Sequence, residues 1–305
     1  MLYDHTDYLR CLPPAWQARA TIPPETDCWA WRGMQVHIAR VRRPQAPARL
    51  MILHGAGGHA GALWPAAALA AEIGYDVLVP DLPGYGRTRV PRPGAVRYPD
   101  WVACVADLLR AEQARDDRPL VLVGASMGGL LAYSAAARAG GVAHLVVTCL
   151  LDPRDRVVWS ALSPLVGRWS LGLMKASARL TDPLRLPIRW LTPMQRIAND
   201  PRLSQLCCTD ERGGGGRIAL GFLRTWLGSS PEVEPEAFTA APVVLAHPAD
   251  DRWTPASLSL RFFERIAAPK RYLPLLGAGH FPVEEPGISQ LQALFAELFA
   301  GFVQA

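Results

Sequence analysis

Continuous apolar runs of five to eight residues alternate with longer segments of helical spacing along most of the chain. The apolar runs have the composition of strands buried on both faces, and they lie at residues 49–53, 76–80, 118–123, 144–151, 242–247 and 271–275. The segments of helical spacing lie at residues 64–73, 98–114, 130–139, 256–267 and 288–302. This alternation predicts an α/β fold with a mostly parallel sheet flanked by helices. A hairpin over residues 27–41, which turns at Arg32-Gly33, brings the predicted sheet to about eight strands.

Residues 153–238 interrupt the alternation. They contain no strand-like run, and their tryptophans and leucines recur at helical intervals that prolines cut into short pieces. The sequence therefore predicts a helical cap at 153–238, inserted after the sixth strand between core parts at 1–152 and 239–305. Four consecutive glycines in the cap, Gly213 to Gly216, indicate either a hinge or a loose surface loop. Residues 1–25 are proline-rich and are predicted to be irregular.

The distribution of charge argues against a nucleic-acid partner. The chain has 305 residues and a formal net charge of +5, but its basic residues are scattered and almost all are arginine. The densest basic cluster, Arg40-Val41-Arg42-Arg43, is too small to form the concentrated patch that nucleic-acid binding needs. We therefore expect a small-molecule partner.

The cysteines and the longest apolar runs bear on the cellular location. The six cysteines include no C-x-x-C pair, and Cys207 and Cys208 are adjacent, which argues against a disulfide framework and against a metal site. The first ten residues carry acidic side chains where a signal peptide has basic residues and then a hydrophobic core. No uncharged apolar run reaches about 18 residues, so no membrane span is expected. These features predict a soluble cytoplasmic protein with free thiols.

The sequence GASMG, residues 124–128, stands between a predicted strand and a predicted helix. In that place G-x-S-x-G is the pattern of a sharp turn that strains the serine backbone and leaves no room for side chains at 124 and 128. The turn exposes the Ser126 hydroxyl above the sheet, close to the N-terminal amides of the following helix. Ser126 is therefore the candidate nucleophile.

A serine nucleophile needs a base and the base needs a carboxylate. Among seven histidines we select His280, because it lies in a glycine-punctuated loop directly after the last predicted strand. The segment AHPADDRWTP offers Asp250 and Asp251 directly after another strand. A proline four residues after the acid favours Asp251, with Asp250 and then Asp152 as alternatives.

Attack on a carbonyl group creates an oxyanion, which two backbone N–H groups stabilise. Met127 follows the nucleophile and supplies one candidate amide. The glycine-rich loop at 54–64 follows the third predicted strand and offers Ala56 as the second, with Gly57 as the next choice. That loop also fits a loose dinucleotide-binding pattern, which would leave the serine turn and the late histidine unexplained, and it lacks the lysine of a phosphate-binding loop. No cofactor is expected.

With these motifs the chain resembles the α/β-hydrolase superfamily over residues 27–303. The segments that carry the resemblance are HGAGG (54–58), DLPGYGRT (81–88), GASMGG (124–129), PADDRWTP (248–255) and GAGHFP (277–282). They follow the family's order of nucleophile, acid and base, and GASMGG with a helical cap is most similar to the esterase, monoacylglycerol-lipase and lysophospholipase-like branch. The chain departs from the pattern in two ways: Pro248 stands where many relatives have glycine, and the acid is doubled.

Motifs and resemblance together predict a serine hydrolase that cleaves a carboxylic ester through an acyl-enzyme. Aromatic residues of the cap are predicted to line an apolar pocket over the nucleophile, with packing of the cap onto the core as the alternative role for each: Trp159, Trp169, Trp190, Phe222 and Trp226. Because one scaffold hosts many chemistries, other functions stay open. They are a thioesterase or acyltransferase, then a lactonase or carbon–carbon bond hydrolase, then a small-ligand-binding protein without turnover.

Overall fold

A computed structural model of the chain describes residues 1–158, 172 and 174–304, with an eight-stranded sheet at the centre. The strands are β1 (Glu25–Trp31), β2 (Met34–Val41), β3 (Arg49–Leu53), β4 (Asp76–Pro80), β5 (Leu120–Gly124), β6 (His144–Val147), β7 (Arg185–Pro187), β8 (Arg217–Ala219), β9 (Val243–Pro248) and β10 (Lys270–Leu275). The order across the large sheet is β1-β2-β4-β3-β5-β6-β9-β10. Strand β2 runs antiparallel to both β1 and β4, and the remaining neighbours are parallel.

Helices flank this sheet, and further helices lie in residues 1–25 and 153–238. They are α1 (His5–Leu9), α2 (Pro14–Gln17), α3 (Ala60–Ile73), α4 (Tyr98–Arg115), α5 (Met127–Ala139), α6 (Ala178–Thr181), α7 (Ile188–Leu191), α8 (Pro201–Thr209), α9 (Leu220–Leu227), α10 (Ala256–Phe263) and α11 (Gly287–Gln304). Helix α3 packs against α11 and α4 packs against α5, and a continuous apolar core fills the space between helices and sheet. The predicted α/β fold with a mostly parallel sheet of eight strands is confirmed.

Two parts of the chain contain more regular structure than the sequence pattern predicts. Within residues 153–238, here called the cap segment, β7 and β8 form a small antiparallel sheet, although the sequence pattern predicts no strand there. Each of these strands has three residues, which is too short for a period of two to be recognised. Residues 1–25 are not wholly irregular, because they include α1 and α2. The boundaries of the cap segment stay a prediction.

Parallel strands bring the candidate site residues to one edge of the sheet. Strands β3, β5, β9 and β10 all run in the same direction, so the loops after them leave from the same edge. Those loops contain Ala56, Ser126, Asp251 and His280, which are separated by up to 224 positions in the sequence. Ligands of open α/β sheets bind at this carboxyl edge.

The four consecutive glycines of the cap segment form a packed turn and not a loose surface loop. Gly213 and Gly214 are buried, and a Cβ atom on Gly213 would lie 2.5 Å from the carbonyl oxygen of Gly57. A Cβ atom on Gly214 would lie 2.6 Å from the carbonyl oxygen of Cys207. None of the four glycines has a positive φ, so close approach of backbone to backbone, and not an unusual conformation, requires glycine here. The turn thus packs the cap segment against the loop that contains Gly57.

A buried carboxylate joins the N-terminal segment and the cap segment to the core. Asp210 has no exposed surface, and its Oδ2 accepts hydrogen bonds from the Tyr8 hydroxyl (2.8 Å) and from His59 Nε2 (2.7 Å). Its Oδ1 accepts the Arg212 amide at 3.0 Å, while His59 Nδ1 accepts the amide of Gly61 at the start of α3. Burial opposes ionisation of Asp210, but these hydrogen bonds outweigh burial and lower its pKa below the ordinary value.

Replacing this carboxylate is expected to destabilise the fold in a pH-dependent way. Asp210→Asn removes the negative charge that accepts hydrogen bonds from Tyr8 and His59. We expect the free energy of unfolding to fall by about 3 kcal/mol at neutral pH. Because the folded-state pKa lies below the unfolded value, the contribution is fully present above the unfolded pKa and is lost as the pH falls through the folded pKa. The difference from wild type should therefore shrink below about pH 4. Urea unfolding at neutral and acidic pH measures both effects.

The neighbouring acid provides a matched control for this prediction. Glu211 is exposed and pairs with the amino terminus, so Glu211→Gln should leave the unfolding free energy nearly unchanged. An Asp210→Asn variant as stable as Glu211→Gln would contradict the anchoring role of the carboxylate.

Candidate active site

Ser126 occupies a strained turn between β5 and α5. Its φ of 55° and ψ of −126° lie in a region that residues with a side chain rarely adopt, at a cost on the order of 1–3 kcal/mol. A Cβ atom on Gly124 would overlap the carbonyl oxygen of Gly128, and one on Gly128 would lie 2.8 Å from the carbonyl oxygen of Leu53. The amide of Ser126 donates to Thr148 Oγ1 at 2.9 Å, which fixes the turn from below. Positions 124 and 128 therefore have no room for a side chain, as the sequence pattern predicts.

The structure brings Ser126, His280 and Asp251 into one chain of hydrogen bonds. His280 Nε2 lies 2.7 Å from Ser126 Oγ, and His280 Nδ1 lies 2.7 Å from Asp251 Oδ2. His280 and Asp251 are 4% and 7% exposed, and the ring of Trp253 packs on the imidazole with 4.7 Å between ring centroids. Because the carboxylate accepts the Nδ1 proton, Nε2 is left as an acceptor for the serine hydroxyl.

The two alternative acids do not contact His280. Asp250 is exposed, and Asp152 pairs with Arg154 through both carboxylate oxygens. Asp251 instead accepts the Trp253 and Thr254 amides on Oδ1, each at 2.8 Å. Burial opposes its ionisation, but the hydrogen bond and charge of His280 and these two amides outweigh burial and hold the pKa of Asp251 below its ordinary value. Asp251 is therefore a buried, ionised partner for the imidazole.

The amides expected to hold an oxyanion, those of Met127 and Ala56, face no competing acceptor. Within residues 1–158, 172 and 174–304, no protein oxygen accepts either N–H group. A Cβ atom on Gly55 would lie 3.0 Å from the Met127 nitrogen and 3.0 Å from Ser126 Cβ, so glycine at position 55 keeps the Met127 amide uncovered. Gly57, the alternative to Ala56 as donor to the oxyanion, lies in the same turn as Ala56 and has a φ of 79°.

His54 holds the loop of these amides in place, a role that the sequence argument missed. Its Nδ1 donates to the Gly55 carbonyl at 2.8 Å, and its Nε2 accepts the Leu82 amide at 2.9 Å. Burial lowers the pKa of His54 to about 4, so the ring is neutral at physiological pH and keeps both bonds. These two hydrogen bonds explain why a histidine follows β3. The contact with Leu82 joins two loops that are distant in the sequence, so no local pattern could have indicated it.

Asp81, the first residue of DLPGYG, organises the neighbouring loops without touching the candidate nucleophile. Its carboxylate accepts the amides of Ala60 (2.6 Å) and Arg87 (2.7 Å) and the Nδ1 proton of His37 (2.8 Å). The Ala60 amide opens α3, directly after the loop that contains Ala56. This motif therefore has a structural role.

The cap segment touches the loops on both sides of the candidate site. Met194 lies against Gly57, since a Cβ atom there would be 2.8 Å from Met194 Cε. On the other side, the Phe281 amide donates to the Ile197 carbonyl at 2.7 Å. Glu284 then accepts two amides, from Asn199 of the cap segment at 3.1 Å and from Gly279 beside the candidate base at 3.0 Å. The cap segment thus contacts both loops of the candidate site.

The aromatic residues predicted to line a pocket have different surroundings. Trp190 is 61% exposed, whereas Phe222 and Trp226 are buried. Phe222 packs on Trp101 of α4 with 4.6 Å between ring centroids, which is a contact between cap and core. Trp159 and Trp169 lie outside the described residues. A pocket lined by these five side chains stays a prediction.

Among the described residues, one cluster could offer metal-ligand atoms, and it overlaps the candidate triad. Atoms of Cys149, Asp251 and His280 lie within 4.8 Å of one another. The Asp251 and His280 atoms are already joined by a hydrogen bond, and burial raises the pKa of the Cys149 thiol to about 12, which disfavours the thiolate that a metal requires. These atoms belong to one hydrogen-bond network, in which Thr254 Oγ1 links the thiol to the carboxylate.

The sheet order, the strained serine turn and the loops after β9 and β10 define an α/β hydrolase. The chain belongs to the alpha/beta hydrolase family, whose family model matches residues 50–288. The family resemblance expected from the sequence is confirmed.

Known proteins of this fold include esterases and lipases. The chain is 28% identical to pimeloyl-[acyl-carrier protein] methyl ester esterase of Aeromonas hydrophila, over 74% of this chain and 81% of that protein. It is 30% identical to protein phosphatase methylesterase 1 of Mus musculus over 49% of this chain, and the match spans only 38% of the mouse protein. The structure is similar to a soluble variant of monoglyceride lipase from Saccharomyces cerevisiae, with a TM-score of 0.73, 14% identity and coverage of 92% and 96% of the two chains. The likeness to this solved structure concerns the fold.

No helix within the described residues is both long and apolar enough to cross a membrane.

Proposed function

We propose that the protein is a serine hydrolase that cleaves a carboxylic ester through an acyl-enzyme intermediate. Family membership and the esterase relatives support ester hydrolysis in general. The observation that carries the finer proposal is the unbroken hydrogen-bond chain from Ser126 Oγ through His280 to Asp251, with 2.7 Å at each step. This arrangement has the geometry of a nucleophile, a general base and the carboxylate that orients the base.

In the proposed reaction, Ser126 Oγ attacks the ester carbonyl carbon while its proton moves to His280 Nε2. The resulting imidazolium is stabilised by Asp251, and the amides of Met127 and Ala56 donate to the oxyanion. His280 then protonates the leaving alcohol, so that the carbon–oxygen bond breaks and an acyl-serine remains. A water molecule, deprotonated by His280, attacks that acyl group and releases the carboxylic acid and free Ser126.

The proposed substrate is a small-molecule ester with an apolar acyl or alcohol group. Both relatives named above are methyl esterases by name, which makes methyl esters the first substrates to assay. The proposed compartment is the cytoplasm, which the six unpaired cysteines support. Rates on matched oxygen esters, thioesters and lactones separate the esterase from a thioesterase, an acyltransferase or a lactonase that uses the same triad.

Covalent labelling tests the proposed nucleophile directly. A fluorophosphonate probe should add to Ser126 at a stoichiometry near one per chain, as read by mass spectrometry of the peptide around residues 124–128. A p-nitrophenyl ester that is hydrolysed should compete with the label, and where deacylation is slow it should give a burst of product that matches the enzyme concentration. Hydrolysis by a protein that carries its label on another residue, or on none, would contradict the proposal.

A further inference from the structure

We infer that Thr254 is a fourth, positioning member of the proposed catalytic network. Its hydroxyl Oγ1 lies 2.8 Å from Asp251 Oδ2 and 3.1 Å from His280 Nδ1, and the residue has no exposed surface. The hydroxyl therefore sits between the carboxylate and the imidazole, at the junction where the Nδ1 proton is held. Nothing in the sequence motif distinguishes this threonine from a packing residue.

The hydrogen bonds of this hydroxyl can be assigned from its neighbours. Its single proton goes to Asp251 Oδ2, the nearest and most strongly accepting atom. Its lone pairs then face the N–H of His280 Nδ1 and the thiol of Cys149, whose Sγ is 3.6 Å away. Asp251, His280 and Cys149 are the side chains that this buried hydroxyl contacts among the described residues.

The consequence is a carboxylate that cannot rotate. Oδ1 of Asp251 accepts two backbone amides, and Oδ2 accepts the Thr254 hydroxyl and the His280 Nδ1 proton. Four donors occupy essentially all the lone-pair directions of the group. Thr254 also offers its oxygen to the Nδ1 proton, which favours the tautomer that leaves Nε2 free to accept from Ser126. Its hydroxyl thus orients the base without contact with the reacting atoms.

Three variants separate this positioning role from packing. Thr254→Val keeps the branched shape and removes the hydroxyl, and we expect kcat to fall about ten- to a hundredfold with little change in KM. Thr254→Ser keeps the hydroxyl and should retain most of the wild-type kcat. Ser259→Ala is the matched control, because Ser259 is an equally buried hydroxyl nearby that accepts the Leu150 amide and, among the described residues, has no hydrogen bond to Asp251 or His280. It should lower stability and leave kcat unchanged.

A double-mutant cycle with Asp251 gives a readout that loss of packing would not produce. If Thr254 acts through the carboxylate, Thr254→Val should cost almost nothing further in kcat once Asp251→Asn has been introduced. Equal losses in both backgrounds would overturn the inference, as would a Thr254→Val enzyme with wild-type kcat or a Thr254→Ser enzyme as slow as the valine variant. Should the valine variant fail to fold, Thr254→Ala compared with Thr254→Ser gives the same contrast of hydroxyl against no hydroxyl.

This inference rests on the proposed function, and the two can fail separately. Turnover that survives in Ser126→Ala removes the serine mechanism and the role of Thr254 with it. Turnover that is lost in Ser126→Ala but kept in Thr254→Val overturns only the role of Thr254.

Discussion

Ser126→Ala is expected to lower the turnover of a short p-nitrophenyl ester by about four orders of magnitude or more. The variant removes the only oxygen within hydrogen-bond distance of His280 Nε2 in the described part of the chain, so the base has no proton to take and no acyl-enzyme can form. The substitution removes only the hydroxyl group and keeps Cβ, so the strained turn and the fold should persist. Steady-state rates, with circular dichroism to verify folding, measure the effect.

A second serine, which lies in the helix after the serine turn, controls for the loss of a hydroxyl. Ser134 is buried in α5, the helix that begins at the serine turn, and it does not contact His280. Ser134→Ala should therefore keep the wild-type rate. Near-normal turnover by Ser126→Ala would mean that another group performs the attack, and the amides of Met127 and Ala56 would then need a different role.

The parts of the fold that the sequence predicts well are those with local causes. The apolar runs 49–53 and 76–80 have the bounds of β3 and β4, because a strand buried on both faces shows as a continuous run that polar residues end. The strands β7 and β8 are not predicted, because three residues are too few to show the alternation of apolar and polar positions. The packed turn of Gly213 to Gly216 is not predicted for another reason. The Gly57 carbonyl, which leaves no room for a side chain at position 213, is more than 150 positions away in the sequence.

The same distinction holds within the candidate site. Ser126, His280 and Asp251 each follow a strand in a motif with its own local signature, and the structure brings the three together. His54 and Thr254 carry no such signature, because each is defined by partners on another loop: Leu82 for one, His280 for the other. For Asp250 against Asp251 the only local signal is the spacing to Pro255. The structure adds a stronger one, since only Asp251 is buried against the imidazole.

Asp251→Asn is expected to lower kcat by about 10³- to 10⁴-fold, whereas Asp250→Asn should have little effect. The neighbours of Asp251 dictate how the asparagine sits. Two backbone amides, those of Trp253 and Thr254, point at Oδ1, so the amide oxygen of the asparagine must take that position. Its NH₂ group is then left to face His280 Nδ1.

A donor opposite Nδ1 reverses the tautomer of the base. The imidazole must present a lone pair at Nδ1 and carry its proton on Nε2, the atom that has to accept from Ser126. The folded variant should therefore lose activity through the wrong tautomer while KM changes little, and fluorophosphonate labelling of Ser126 should slow in proportion. Asp250→Asn leaves this geometry intact, because Asp250 is exposed and its side chain has no contact with the ring. Two mild losses would show that neither aspartate orients the imidazole.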